Sequence, residues 1–118
     1  MSEMRSAEMQ QCIDDCERCH VICLETVAHC LNRGGEHAAP DHITALLDCL
    51  DMCVAATTFM LRDSEMHAAV CDVCAAACDA CAASCQGFPE DEAMDRCADV
   101  CLDCADSCRQ MARSAAHA

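Results

Sequence analysis

The chain has 118 residues, a formal net charge of −14, and 54% hydrophobic but only 2% aromatic residues. Its seven basic residues, all arginine, face 21 acidic ones, so there is no basic footprint for nucleic acid and no attraction to an anionic membrane surface. The length suits one compact domain over residues 1–118 and is too short for two ordinary ones.

Leu, Ile, Val and Phe make up only 15% of the chain, a share that with this charge would point to disorder. The 22 alanines and 16 cysteines reverse that conclusion. Alanine is the best helix former, and reduced cysteine packs as a small buried hydrophobe. The opening MSEMRSAEMQ has no apolar signal-peptide region, and no run approaches the ~18 consecutive apolar residues of a membrane span. The expected location is the cytoplasm, where thiols stay reduced and a disulfide scaffold is disfavoured.

Turn signals divide the chain into four helices. The first is predicted over 3–32 and stops at Asn32-Arg33-Gly34-Gly35. Along it, Cys12, Cys16, Cys19 and Cys23 follow C-x3-C-x2-C-x3-C, with Cys30 one heptad further. The second, over 41–62 after Pro40, keeps only Cys49 and Cys53. The third, over 64–86 with Ser64 as N-cap, repeats the spacing in Cys74, Cys78, Cys81 and Cys85, and Cys71 extends it in phase. The fourth, over 90–113, opens after Pro89 on Glu90-Asp91-Glu92, acidic residues that suit a helix N-terminus. It carries Cys97, Cys101, Cys104 and Cys108. Steps of four and three are the a/d positions that face partner helices. Asp99 and Asp106 take outer f positions, and Asp72 and Asp79 take b positions. Strand signals are absent, and short connections imply antiparallel neighbours. The expected fold is all-α: an up-down-up-down four-helix bundle with a cysteine-lined core.

Thiolates are soft ligands that select Cu(I), Zn or iron–sulfur clusters. Zinc commonly uses C-x2-C pairs on turns, whereas here these pairs lie within helices. The ferredoxin run C-x2-C-x2-C-x3-C-P does not occur. Cysteines four apart on a helix have Cβ atoms roughly 5–6 Å apart on one face, which suits a metal content with two opposed ligands. Seven such pairs exist, and the expectation is many Cu(I) ions, about one per thiolate. A zinc- or iron–sulfur-binding module is the alternative. A purely apolar role for cysteine in the core is the plainer one. A thiol-redox enzyme needs one exposed, low-pKa cysteine, and no catalytic constellation is legible, so no enzyme activity is expected.

Met9, Met60, Met111 and His67 continue the stripes to one end of the bundle, where thioether and imidazole would be weaker, exchangeable stations for incoming Cu(I). Methionine as filler of an irregular bundle end is the other reading. His42, one heptad before Cys49, would line the opposite end with Met94. Of His20, His29, His37 and His117, most read as solvated side chains. Val21, Leu24 and Leu31 on the first helix, and Leu47, Leu50, Val54 and Leu61 on the second, lie outside the a/d stripe. They form either a homo-oligomer interface or ordinary packing within one bundle.

On QQCIDDCERCHVIC, CDVCAAACDACAASC and CADVCLDCADSC, the chain resembles the cytosolic copper storage proteins over nearly its whole length. The resemblance implies a homotetramer of bundles, Cu(I) on in-helix C-x3-C pairs with all sixteen cysteines as ligands, and an open end with His or Met ligands. The second helix departs from the pattern, with Leu46 and Ala56 where cysteine would be in register. A copper chaperone as donor or acceptor is left unnamed by the sequence.

Overall fold

The computed structural model describes residues 5–116, in which four helices run in the order α1 (Ala7–Arg33), α2 (Pro40–Leu61), α3 (His67–Cys85) and α4 (Glu92–Ala116). A 3-10 turn, Gly35–Ala38, lies between α1 and α2. There is no strand among the described residues. Each helix packs on two neighbours: α1 on α2 and α4, and α3 on α2 and α4. This closes the ring of an antiparallel four-helix bundle measuring 50 × 23 × 21 Å.

The helix ends follow from local chemistry. The first helix was expected from residue 3, which lies outside the described residues. Within them it starts at Ala7, because the Ser6 hydroxyl accepts the Met9 N–H at 3.1 Å and satisfies one orphan donor. It ends where Gly34 and Gly35 take positive φ, 69° and 58°, a pair of left-handed residues that only glycine adopts without strain. Pro40 occupies the first turn of α2, where its missing N–H costs nothing.

Two expected starts moved. Ser64 does not cap α3 directly. Its hydroxyl accepts the Met66 N–H at 3.1 Å, and the helix begins three residues later at His67. Asp63 turns the chain with φ 54°, a conformation Asp tolerates better than most residues. At the last connection Glu90 turns at φ 70°, and the Asp91 Oδ1 accepts the N–H groups of Ala93 and Met94 at 3.0 and 3.3 Å. Asp91 is therefore the cap, and α4 starts at Glu92 instead of residue 90.

The a/d stripes face inward as the spacing requires. All sixteen cysteines are buried, together with Leu46, Ala56, Met60, Met94 and Met111. Helices α2 and α3 are long and apolar enough by composition to cross a bilayer. Alanine and cysteine account for much of that hydropathy, and their cysteines are turned into the bundle. Outside, Arg109 joins Asp79 of α3 at 2.6 Å and Asp106 of its own helix at 2.9 Å. These exposed pairs contribute little to stability.

Candidate metal centre

The sixteen thiols are free and fully enclosed, and most of them form a column. Its first group is Cys12, Cys71 and Cys108, drawn from α1, α3 and α4. Next come Cys16, Cys74, Cys104 and Cys108, and then Cys19, Cys53, Cys78 and Cys104, one from each helix. The groups Cys19, Cys23, Cys49, Cys101 and Cys23, Cys81, Cys97, Cys101 follow. Within every group the sulfurs lie within 4.8 Å of one another. Each group shares at least one sulfur with the next: Cys108, then Cys104, then Cys19, then Cys23 and Cys101. No thiol in the series belongs to a closed, isolated set.

Most of the short contacts cross between helices. Cys16–Cys104, Cys19–Cys49 and Cys49–Cys78 stand 3.6 Å apart, and Cys12–Cys108 and Cys23–Cys101 stand 3.7 Å apart. Of the seven in-helix pairs four residues apart, Cys19–Cys23 at 3.8 Å and Cys74–Cys78 at 3.9 Å come this close. The heptad pattern identifies the face correctly, but the groups that converge are mainly inter-helical. Helix α2 supplies only Cys49 and Cys53. Leu46 and Ala56 sit in register beside them, so its side of the column is partly alkyl.

Without metal the thiols divide: hydrogen bonds from neighbouring thiols favour ionisation of Cys12, Cys19, Cys49, Cys74 and Cys97 and oppose it at others. Hydrogen bonds from neighbouring thiols, followed by burial, push Cys71, Cys85, Cys101 and Cys104 upward. Cys30 is pushed up to about 11, chiefly by burial and then by the Asp91 carboxylate and Cys97. A thiolate in a dry core is costly unless a cation neutralises it, so the column is poised to exchange protons for metal.

The two ends differ. At the α1 N-terminal end, Met60 and Met111 are buried and Met9 is half-buried against the core. His67 is half-buried too, and its Nδ1 bonds the Ser64 carbonyl at 2.8 Å, which leaves Nε2 for another partner. At the opposite end, Cys30 Sγ lies 3.3 Å from His42 Nε2 and 3.6 Å from Met94 Sδ. His42 Nδ1 meets Ser84 Oγ at 2.6 Å, which fixes the ring as an outer partner fixes a ligating histidine. Burial, then the nearby His37, lowers the His42 pKa and favours the neutral imidazole a metal needs. The Phe88 ring covers this group, its centroid 4.7 Å from that of His42.

Heptad spacing had marked His42 and Met94 but not their convergence on Cys30. His29 and His37 both bond Asp91, and the His37 side chain is the more sheltered of the two. His117 lies outside the described residues.

The sequence profile of the copper storage proteins matches residues 5–113. The chain belongs to the copper storage protein family. No curated protein matches it in sequence, but solved structures do. A Nitrosospira multiformis protein is 40% identical, with 91% of this chain and 96% of that one covered and a TM-score of 0.86. The apo form of copper storage protein 3 from Bacillus subtilis is 32% identical over 87% of this chain and 97% of that one, with a TM-score of 0.78. A Streptomyces lividans copper storage protein loaded with 10 copper equivalents is 26% identical over 90% of this chain and 84% of that one, with a TM-score of 0.79. The chain shares the fold of these copper storage proteins, an all-α bundle, and its own cysteines cluster in the core.

Proposed function

We propose that this protein stores Cu(I) in its interior, about one ion per thiolate, as a reservoir without catalytic activity. The single observation that carries the reading is the unbroken sharing of sulfurs between successive groups. Sulfur separations of 3.6–3.9 Å fit a zinc ion bound by four thiolates, whose ligands stand about 3.8 Å apart. Distance alone therefore does not choose the metal, but charge does. One monovalent ion per thiolate leaves the buried column neutral. One divalent ion per four thiolates leaves half of the negative charge uncompensated in the dry core, a large desolvation cost unless the remaining thiols keep their protons. Soft thiolate ligation favours Cu(I) on its own account.

We assign all sixteen cysteines as ligands within a single copper-storage domain, with Met9, Met60, Met111 and His67 as weaker stations where copper is admitted. His42 and Met94 complete a terminal site with Cys30. The direct test is competition: reduced protein is given Cu(I) and Zn(II) together under anaerobic conditions, then desalted and analysed for metal. Copper near one ion per cysteine, with zinc displaced, is the expected result. Zinc retained at one per four cysteines would sink the copper reading.

The exterior supports self-association. Val21, Leu24, Leu31, Leu47, Val54 and Leu61 are between 41% and 57% exposed, too open for packing within one bundle. Leu50 is the exception: it is buried and belongs to the core. Apolar rows on two adjacent helices of a strongly acidic protein fit a second copy of the same face, giving a homo-oligomer such as a tetramer. Leu24→Glu together with Leu47→Glu should shift the mass in solution to the monomer, with helix content unchanged, as read by light scattering. A wild-type protein that is already monomeric would refute the interface. Free thiols throughout favour the cytoplasm; recovery from cells with its cysteines in disulfides would contradict that location.

A further inference from the structure

A second cluster of metal-ligating side chains lies outside the thiol column. Nε2 of His29 and Nε2 of His37 approach the same atom, Oδ2 of Asp91, at 3.0 and 2.9 Å. The three residues come from the end of α1, the 3-10 turn and the cap of α4, so the fold brings them together and no sequence motif does. Asp91 is held in place by its other oxygen, which accepts the Ala93 and Met94 N–H groups. The His37 ring is braced by Phe88 at 4.4 Å between centroids and by the edge of His29 at 5.9 Å. The side chains of Asp91, His37 and His29 are 9%, 14% and 30% exposed, so the cluster is sheltered yet open on one side.

We infer that His29, His37 and Asp91 form a binding site for a divalent ion of the zinc class, separate from the thiolates that hold Cu(I). Ligand atoms about 2.1 Å from a zinc ion stand about 3.4 Å apart at tetrahedral angles, so each imidazole nitrogen needs to part from Asp91 Oδ2 by only a few tenths of an ångström. Two imidazoles and a carboxylate are borderline-to-hard ligands, which suit zinc better than Cu(I). Each imidazole gives up its hydrogen bond by moving its proton from Nε2 to Nδ1, so no net proton is released from neutral rings. Solvent supplies the fourth ligand. Arg33, whose guanidinium stands 3.4 Å from Asp91 Oδ2, must swing aside; its side chain is 56% exposed and free to do so. Occupancy ties the 3-10 turn to α4 across the end that holds Cys30, His42 and Met94.

Cobalt(II) is the probe, because its spectrum distinguishes nitrogen and oxygen ligands from sulfur. Copper-loaded protein titrated anaerobically with Co(II) should take up one ion per chain, with d–d bands but no thiolate-to-cobalt charge transfer. His29→Gln with His37→Gln should abolish retention on gel filtration. Asp91→Asn, whose Oδ1 still caps α4, should weaken affinity at least about tenfold, the scale of a change in a metal's ligand environment. Copper capacity and helix content should be unchanged in both variants. The inference is overturned by wild-type protein that retains no Co(II), by equal retention in the double variant, or by charge-transfer bands showing that thiols hold the ion. Charge-transfer bands also separate the two kinds of site in copper-free protein, so failure of the storage reading would not obscure this result.

Discussion

Filling the column with Cu(I) should raise the midpoint of thermal unfolding by more than about 20 °C, with little change in helix content. A ligand that binds only the folded chain stabilises it by about 4 kcal/mol when present at a thousand times its dissociation constant. Three or four ions held that firmly would add as much as the whole stability of a typical domain, about 5–15 kcal/mol. Each kcal/mol moves the midpoint by several degrees in a protein of this size. The copper-free chain should already be helical, because Ser6, the Gly34-Gly35 turn, Pro40 and Asp91 define helix ends without metal. Its core is nonetheless weak. Replacing leucine with cysteine forgoes roughly 1 kcal/mol of burial per position, and Leu46 is the largest fully buried aliphatic side chain.

The same experiment has a pH signature. A thiol raised in the folded state, such as Cys30 at about 11 against an ordinary 9.0, binds its proton more tightly when folded. Its contribution is fully present below pH 9 and is lost as pH rises through about 11. Copper-free protein should therefore lose the Cys30 contribution at alkaline pH. Loaded protein should not, because its thiols have no proton left to lose. Towards acid the order inverts: protons compete with Cu(I) for sulfur, and the gain from loading shrinks. Circular dichroism melts of both forms across this range provide the measurement. A copper-free chain without helix, or a midpoint indifferent to copper, would contradict the account.

The rate of loading should depend on one end of the bundle. Met9→Leu with Met111→Leu should slow Cu(I) transfer from a coloured chelator about tenfold, the effect of adding 1.4 kcal/mol to the barrier, while leaving capacity intact. Leucine nearly conserves methionine's volume and costs under about 1.5 kcal/mol in a core, so the change removes the thioethers and little else. His42→Ala should do the reverse: capacity falls by about one ion while the initial rate holds. The asymmetry comes from cover. The Phe88 ring packs on the buried His42, whereas Met9 and His67 remain half-buried at the other end. Stopped-flow traces in which the His42 variant is slow and the methionine variant is not would reverse the assignment.

The spacing of Cys12, Cys16, Cys19 and Cys23, and its two copies, is enough to turn a row of sulfur inward, because a heptad fixes which face of a helix is buried. It does not fix how far each helix slides along its neighbours. That axial offset makes Cys16 meet Cys104, and Cys19 meet Cys49, at 3.6 Å, so the in-helix pairs were visible in advance and the cross-helix groups were not. His29 and His37 look like surface residues for a related reason. Their partner, Asp91, lies 62 and 54 positions away and reads locally as nothing more than a helix opening. Leu50 shows the limit in the other direction: its position suggests an outward side chain, but helix packing covers it.

Because Cys108, Cys104, Cys19, Cys23 and Cys101 each belong to two adjoining groups, an ion can advance by forming its next bond before breaking its last. The interior then works as a relay in which cargo moves while staying bound, never crossing an apolar gap as a bare cation. Deep positions would then be reachable without opening the helices.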